Sequence, residues 1–500
     1  MEKSIFFYLC LSLTLILSSC QKKVDLIVHN ASIYTMADNT GKASSFVVDK
    51  GKFIAVGGEE LLNIYKAKKI LDLKELPVYP GFIDSHCHFV SLGLSLQKVD
   101  LTGTRSFEEV IGRIKDFAKN KKLKAIIGRG WDQNDWEEKT FPNKSILDEM
   151  FPDIPVALRR VDGHAMLVNQ KALDIAGIDP KTKINGGSII KENGKLTGIL
   201  VDAPMRLISN ILPKPSITEK VKALKDAEKI SFENGLTSVS IAGLNKNDIY
   251  LIDSLQKSNE LSIRVYAMIA NTKDNFEYFL SNGPITTDKL TVRSFKIYAD
   301  GALGSRGAAL KSDYSDLKKH KGSFITSKDS LEKLAYKLAT TSFQMNTHAI
   351  GDDANKAVLE AYNKALVFSD DPRWRIEHAQ IIDTSDIKLF NRKIIPSVQP
   401  THATSDMYWA EDRLGKKRLE GAYAYKSLLE KSGRIALGTD FPVENVSPIK
   451  TFFSAVFRED NNLFPEDGYL PSNKLSKLEA LKGMTIWGAY SNFEENIKGS

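Results

Sequence analysis

The sequence of 500 residues is poor in cysteine and shows no strong compositional bias. Its three Cys are too few for a disulfide framework. With 17 Pro and 32 Gly the chain is neither collagen-like nor wholly disordered. The 69 basic and 62 acidic residues leave a net charge of +7, which gives no reason to expect a nucleic-acid partner. We therefore expect an ordinary globular protein.

The apolar run at the N-terminus, residues 5–17, is shorter than the roughly 20 residues that span a membrane. It follows Met1-Glu2-Lys3 and precedes small residues, which predicts a secretory signal. Its end, Leu17-Ser18-Ser19-Cys20, resembles the lipobox of bacterial lipoproteins. That resemblance implies a lipoprotein signal peptide over residues 1–20, with Cys20 acylated and the exported protein held at a membrane, in the periplasm or at the cell surface. A plainly secreted protein is the alternative.

Residues 21–79 predict part of a small β-sandwich. Short alternating bursts such as Asp25-Leu26-Ile27-Val28 and residues 53–58 are typical of strands. Between two of these bursts, Asp49-Lys50-Gly51-Lys52 predicts a hairpin turn.

From residue 80 to 445, apolar runs that end in polar residues alternate with helix-like segments, which predicts α/β architecture with a parallel sheet. An interruption at about 103–230 has its own strands and a hairpin turn at Asn193-Gly194, so we expect an inserted α+β subdomain. The remainder approaches the ~250 residues of a (β/α)8 barrel. The candidate barrel strands are 81–85, 236–241, 263–269, 294–299, 345–348, 374–378, 395–399 and 434–438.

An open doubly wound sheet would fit the same alternation. We favour a TIM-like (β/α)8 barrel because chemistry-bearing residues recur at the carboxyl ends of the strands, where barrels place active sites. Residues 446–500 are predicted to be a helical segment, with 475–487 the clearest amphipathic run.

The strongest single motif is Pro80-Gly81-Phe82-Ile83-Asp84-Ser85-His86-Cys87-His88. An apolar strand runs directly into two His that share one face of an extended chain, so both imidazoles can reach one cation. Further candidate ligands end later strands, and each alone could be a core side chain or a helix cap. Their joint occurrence predicts a metal centre, formed by His86, His88, Lys296, His348, His378 and Asp440.

This set resembles the binuclear metal site of the amidohydrolase superfamily. The flanking segments, residues 295–305 and Thr347-His348-Ala349-Ile350-Gly351-Asp352, resemble more narrowly the amidohydrolase-3 group, which includes N-substituted formamide deformylases. The resemblance implies a TIM-like barrel beside a β-sandwich built from both chain ends. It also implies that Lys296 is carboxylated and bridges two divalent ions.

The expected reaction is hydrolysis of a non-peptide C–N bond by metal-activated hydroxide, in an amide, formamide or cyclic amide. Asp440 would accept the proton of the attacking water and pass it to the leaving amine. His164 is either a donor to the substrate carbonyl or a structural His bonded to Asp162, and His402 could orient the substrate. Asp300 either orients Lys296 or caps a turn.

Several alternatives stay open. Trp131 and Trp136 either form a lid or fill the core of the insertion. The metal is one or two ions, with Zn²⁺ favoured and Fe²⁺, Mn²⁺ or Co²⁺ also compatible with a mixed N/O site. The chain is compatible with a homo-oligomer. A surface lipoprotein that binds ligands through a vestigial metal site is the competing function.

Chains of this family continue past a point like Lys498-Gly499-Ser500 into strands that rejoin the N-terminal β unit. We therefore expect the sandwich to be cut short here. The strands of residues 24–80 should then leave an unpaired edge, and a longer chain should be more stable.

Overall fold

The computed structural model of the protein describes residues 21–37, 43–120 and 123–500. The predicted signal peptide and Cys20 lie outside the described residues, so export and acylation stay predictions. The chain divides into two units, one up to Pro80 together with Ser500 and the other Gly81–Gly499.

The first unit is a small β structure. Within its described residues, four strands form one sheet in the order β4-β3-β1-β5, and two short strands, β2 and β6, pair separately. Val24, Ile27 and Val47 are buried in it, as the alternation of apolar residues predicts. The predicted hairpin is confirmed, because Asp49 pairs with Lys52 across a turn whose central residues both have positive φ. The strands are β1 Lys22–His29, β2 Ser32–Ile33, β3 Ser45–Asp49, β4 Lys52–Gly57, β5 Tyr65–Asp72 and β6 Pro77–Val78.

The second unit contains a nearly closed parallel barrel, which confirms the predicted fold class. Its strands follow the order β21-β20-β19-β18-β17-β15-β14-β7, and the short β16 (Ile285–Thr286) pairs with β17. Two backbone bonds of 2.8 Å join the ends of the sheet, from Asp440 N to His86 O and from His88 N to Phe441 O. The barrel strands are β7 Phe82–Cys87, β14 Leu236–Leu244, β15 Arg264–Ala270, β17 Leu290–Tyr298, β18 Gln344–Ala349, β19 Trp374–His378, β20 Ile394–Val398 and β21 Ala436–Leu437.

The insertion is a second sheet with its own core. Its strands follow the order β12-β13-β11-β10-β9-β8, with the predicted turn at Asn193-Gly194 between β12 and β13. The sheet starts at Val99, slightly before the predicted boundary, because a two-residue strand carries no recognisable alternation. The strands are β8 Val99–Asp100, β9 Ile126–Trp131, β10 Val156–Arg160, β11 Ala165–Val168, β12 Gly187–Glu192 and β13 Lys195–Asp202.

The two tryptophans of the insertion are core residues. Trp131 is 1% and Trp136 6% exposed, and their rings lie 6.0 Å apart. Each indole N–H donates to a backbone carbonyl, that of Leu158 and that of Thr104. The core interpretation is therefore confirmed, and the lid interpretation is wrong.

Helices cover the strands and complete the chain. Within the described residues, no helix is both long enough and apolar enough to span a membrane. The C-terminal helices pack on the barrel, where Ile83 N donates to Met484 O. The α-helices are Leu61–Ile64, Phe89–Ser95, Phe107–Ala118, Ser145–Met150, Gln170–Ala176, Met205–Ile211, Ile217–Glu233, Lys246–Lys257, Lys273–Asn282, Lys328–Ala339, Asp352–Ala365, Pro400–Asp406, Ala410–Leu414, Lys416–Leu419, Tyr425–Ser432, Pro448–Val456, Lys477–Gly483 and Ile486–Ser491.

Candidate metal centre

A cavity of about 1090 Å³ opens at the carboxyl ends of the barrel strands, and the insertion forms part of its wall. Parallel strands bring their carboxyl ends to one end of a barrel, so residues distant in the sequence meet there. The site residues expected from the sequence that line this cavity are His88, His164, Lys296, His348, His378, His402 and Asp440. His86 lies just beneath them, fully buried.

The tightest cluster is formed by His86, His88 and Asp440. Asp440 Oδ1 lies 3.2 Å from His88 Nε2 and 3.6 Å from His86 Nε2. The three side chains can present their ligand atoms to one metal ion. Burial would raise the pKa of Asp440, but the contact with His88 and the charge of His86 hold that pKa well below its ordinary value. Asp440 is therefore a carboxylate at neutral pH.

Lys296, His348 and His378 surround the same point. Lys296 Nζ lies 3.1 Å from His86 Nε2. The ring of His378 lies 4.9 Å from that of His86 and 4.5 Å from that of His348. Burial lowers the pKa of His348 and His378 well below the ordinary value, so both imidazoles are neutral and able to bind a cation.

Two further side chains orient these imidazoles. His86 Nδ1 donates to Glu377 Oε2 at 2.5 Å, and His378 Nδ1 donates to Gln399 Oε1 at 2.7 Å. Both bonds use Nδ1, so Nε2 is the ring nitrogen turned toward the cluster as the ligand atom, as hydrogen bonds behind metal-binding His generally arrange. Arg375 in turn lies 2.7 Å from Glu377. Glu377 was not predicted as a site residue from the sequence, although a carboxylate inside the apolar strand β19 was a signal that could have identified it.

Asp440 is positioned through the closure of the barrel. Asp84 on β7 accepts from the hydroxyl of Thr439 at 2.7 Å, which ties the segment after β21 to the first barrel strand. Asp440 and His378 have φ of 61° and 73°. A positive φ is uncommon for non-glycine residues, and such backbone strain clusters at functional sites.

The residues present fit a divalent metal. Asp440 Oδ1 and His402 Nε2 are buried and make no hydrogen bond to any part of the chain that is described. Neutral imidazoles with a carboxylate form a mixed N/O donor set, which Zn²⁺, Fe²⁺, Mn²⁺ and Co²⁺ all accept. An orphaned carboxylate oxygen with two imidazole nitrogens within 3.6 Å is the arrangement that a cation would satisfy.

His164 reaches the cavity from the insertion. Its side chain bonds to Asp202 rather than to the expected Asp162, with Nδ1 2.6 Å from Asp202 Oδ1. The contact of His164 with Asp162 is through the backbone N–H of His164, not through its ring. Burial would lower the pKa of His164, but the charge and hydrogen bond of Asp202 outweigh burial and raise it. The ring lies 5.2 Å from that of His348, so His164 can offer a proton or a hydrogen bond beside the cluster.

His402 and Asp300 complete the site. His402 Nε2 lies 3.8 Å from Asp440 Oδ2. Asp300 accepts from the backbone N–H groups of Ala309, Ile350 and Gly351, so it joins two loops, as a turn-capping residue would.

The barrel and its buried donor cluster define the class of the chain, which is that of the metal-dependent barrel hydrolases. Residues 69–500 match the model of the amidohydrolase family, and the chain belongs to that family. It is 31% identical over 487 residues to putative amidohydrolase YtcJ of Bacillus subtilis (strain 168), which covers 95% of this chain and 91% of the relative.

Two other proteins resemble it along most of its length. The N-substituted formamide deformylase of Arthrobacter pascens is 25% identical over 503 residues, covering 95% of this chain and 91% of the relative. The crystal structure of an uncharacterized metal-dependent hydrolase from Pyrococcus horikoshii matches with a TM-score of 0.76 and 28% identity, covering 95% of this chain and 94% of the other.

Proposed function

We propose that the protein hydrolyses a non-peptide C–N bond in an amide, formamide or cyclic amide. The observation that carries this proposal is the convergence of His86, His88 and Asp440 on one point at the base of the cavity. The formamide deformylase named among the relatives supports this choice of bond.

One or two divalent ions, with Zn²⁺ favoured, would be held by His86, His88, Lys296, His348, His378 and Asp440. Such ions supply Lewis-acid activation of water and of the scissile carbonyl. The chain itself contributes neutral imidazoles, whose pKa values burial keeps low, and a barrel that fixes their positions.

Lys296 would act as a carbamate rather than as an ammonium. Its side chain is buried, and no carboxylate forms an ion pair with it in the described ranges 21–37, 43–120 and 123–500. Burial lowers the pKa of Lys296 to about 8, so part of the population carries a free amine. Reaction of that amine with CO₂ forms an N–C bond and releases a proton, which gives an anionic ligand beside His86.

Asp440 would move the proton. As a carboxylate it can accept the proton of the attacking water on Oδ2 and pass it to the leaving amine. His402, 3.8 Å from that oxygen, would orient the substrate, and His164 would donate to the carbonyl oxygen.

The test is a panel of N-formyl, N-acyl and cyclic-amide substrates on protein reconstituted with Zn²⁺, Mn²⁺ or Co²⁺, with D440N as the blank. We expect turnover of at least one class by the wild type and a loss of about 10³-fold or more in D440N, because a positioned acid–base typically supplies 10²–10⁴-fold. A protein that binds stoichiometric metal and hydrolyses none of them would contradict the proposal and favour the binding lipoprotein.

We also propose that the protein is exported and anchored through a lipid on Cys20. Globomycin, which blocks lipoprotein signal cleavage, should cause a precursor to accumulate. The C20A variant should lose the membrane fraction, and an unchanged distribution would contradict the anchor.

A further inference from the structure

The wall that the insertion contributes to the cavity carries two neighbouring arginines, Arg129 on β9 and Arg159 on β10. They are register partners in this parallel pair, so their side chains lie on the same face of the sheet. Like charges directly opposite each other on a sheet are destabilising. Their juxtaposition therefore requires an explanation.

The next residue along β10 shows what a structural arginine looks like here. Arg160 points to the other face and has all three of its nitrogens engaged, with Gln133, Asp132 and Asp162. Its charge is thus compensated by two carboxylates within the protein.

Arg129 and Arg159 are less fully compensated, because the charge of Asp162 acts on both but Asp162 pairs directly with Arg160. In the described part of the chain no ion pair joins either of them to a carboxylate, and Arg129 Nε is buried without a hydrogen-bond partner. Each donates to one backbone carbonyl of a single turn, Arg129 Nη2 to Val161 O at 2.7 Å and Arg159 Nη1 to Gly163 O at 3.3 Å. This turn fixes both guanidinium groups and leaves most of their five N–H donors unused.

The surroundings add positive charge. Burial lowers the pKa of Lys98, and the charges of Arg159 and Arg129 lower it further, so a third cation lies close by. Burial and, after it, the charge of Arg159 lower the pKa of Arg129 to about 10, although the charges of Asp440 and Asp162 oppose this shift. Asp100, the register partner of Arg129 on β8, is exposed and accepts instead from Thr102 N.

We infer that Arg129 and Arg159 form a subsite for an anionic group of the substrate, a carboxylate or a phosphate ester, while the amide lies at the metal centre. Paired guanidinium groups match the geometry of both anions and bind them with charge-assisted hydrogen bonds. This inference rests on the proposed hydrolase function and narrows its substrates to amides that carry a negative charge.

A matched pair of substrates tests it: 4-(formamidomethyl)benzoate and its uncharged isostere N-(4-nitrobenzyl)formamide. We expect the wild type to prefer the anion in kcat/KM by about 10- to 100-fold, since hydrogen bonds to charged groups contribute about 1.5–3 kcal/mol. R129Q, R159Q and the double variant should lose most of this preference at nearly unchanged rate on the nitro compound. R159K should keep part of it, because the charge remains.

R264Q is the matched control. Arg264 is an exposed arginine that begins β15, at the end of the barrel opposite the cavity, and its loss should leave the preference intact. Equal kcat/KM of the wild type for both substrates, or a uniform loss on both in R159Q and R159K, would overturn the inference.

A binding measurement tests the anion subsite without requiring hydrolysis. Benzoate and benzamide are titrated calorimetrically into the metal-loaded wild type and into the metal-loaded R129Q/R159Q variant. Because both proteins carry the same metal, binding of benzoate to the metal contributes equally in both and does not affect the comparison. We expect the double variant to bind benzoate at least about tenfold more weakly, with benzamide unchanged. An unchanged benzoate Kd would overturn the anion subsite even if amides are hydrolysed. A weakened Kd without turnover of either formamide would support the subsite and contradict the hydrolase.

Discussion

At the scale of single residues, the surroundings of a charge decide whether it stabilises the fold or is available to a ligand. Arg159 and Arg160 are adjacent on β10, yet the strand turns them to opposite faces. Arg160 forms ion pairs with two carboxylates, whereas Arg159 lies beside Arg129 on the neighbouring strand. Both residues are arginine, so only the groups that surround each side chain in the folded protein distinguish their roles.

This contrast predicts opposite effects on stability. R160M should cost about 3–5 kcal/mol, because it leaves Asp132 and Asp162 without their counter-ion. R159Q should be neutral or stabilising by up to about 1 kcal/mol, since it removes like-charge repulsion with Arg129. Urea unfolding followed by circular dichroism measures both. A loss in R159Q as large as that in R160M would mean that Arg159 has a structural role.

At the scale of elements, one glycine joins the closure of the barrel to the site. A Cβ on Gly438 would lie 2.5 Å from His86 N and 2.8 Å from Asp84 Oδ1, so β21 can approach β7 this closely only without a side chain. G438A should cost about 1–3 kcal/mol by overpacking. It should also weaken metal affinity, because Asp440 follows two residues later.

The control for this variant is G112A. Gly112 lies in the helix Phe107–Ala118 and a Cβ there meets nothing within 4 Å. Alanine should therefore stabilise this helix by about 0.5–1 kcal/mol and leave metal affinity unchanged. Thermal melting and a competitive metal titration distinguish the two variants. A G438A protein with wild-type metal affinity would show that the site tolerates displacement of β21.

An ion-pair network holds a short 3₁₀ helix in place and makes the stability of the fold depend on pH. Lys311 binds Asp383 and Asp386 of the segment around the 3₁₀ helix Thr384–Leu389, at 2.7 and 2.5 Å. The hydrogen bond from Lys311 holds the pKa of Asp383 well below its ordinary value of 3.8. A depressed carboxyl pKa contributes stability above the unfolded pKa and loses it as the pH falls toward the folded pKa.

K311Q should therefore lower the melting temperature at pH 7 and make progressively less difference below about pH 4. The expected loss is about 1 kcal/mol or less, because the pair is partly exposed. K328Q is the matched control, since the ion pair of Lys328 with Asp353 joins two other helices, Lys328–Ala339 and Asp352–Ala365. A K311Q deficit that does not shrink between pH 4 and pH 2 would indicate lost packing rather than lost charge, because the low pKa of Asp383 keeps part of the charge contribution down to strongly acidic pH.

The strands could be predicted from the sequence, whereas some of the contacts between them could not. Each predicted barrel strand overlaps an observed one, because strands buried on both faces read as apolar runs. The six candidate ligands converge because they end strands of one parallel sheet. Glu377 and Asp202 were not predicted, because each forms its hydrogen bond with a histidine far away in the sequence, His86 and His164. Neither local sequence segment indicates which distant side chain it will contact.

At the scale of the whole molecule, the candidate ligands connect the first barrel strand to the last. His86 and Asp440 come from opposite ends of the chain of strands, with Lys296, His348 and His378 between them. A ligand that binds only the folded state stabilises it by RT ln(1 + [L]/Kd), about 2.7 kcal/mol at a hundredfold excess over Kd. Metal should therefore hold the barrel together, whereas none of the six candidate ligands belongs to the sheet of the insertion.

Removal of metal should destabilise the barrel more than the insertion. We expect chelation to lower the melting temperature and to accelerate amide hydrogen exchange at β7, β18 and the segment after β21. Exchange in β10 and β11, which belong to the separate core of the insertion, should change little. D440N should respond only weakly to added metal, because Asp440 belongs to the tightest cluster. Equal acceleration in both sheets would mean that the metal stabilises the fold globally, and no change in either would mean that these side chains do not hold a metal.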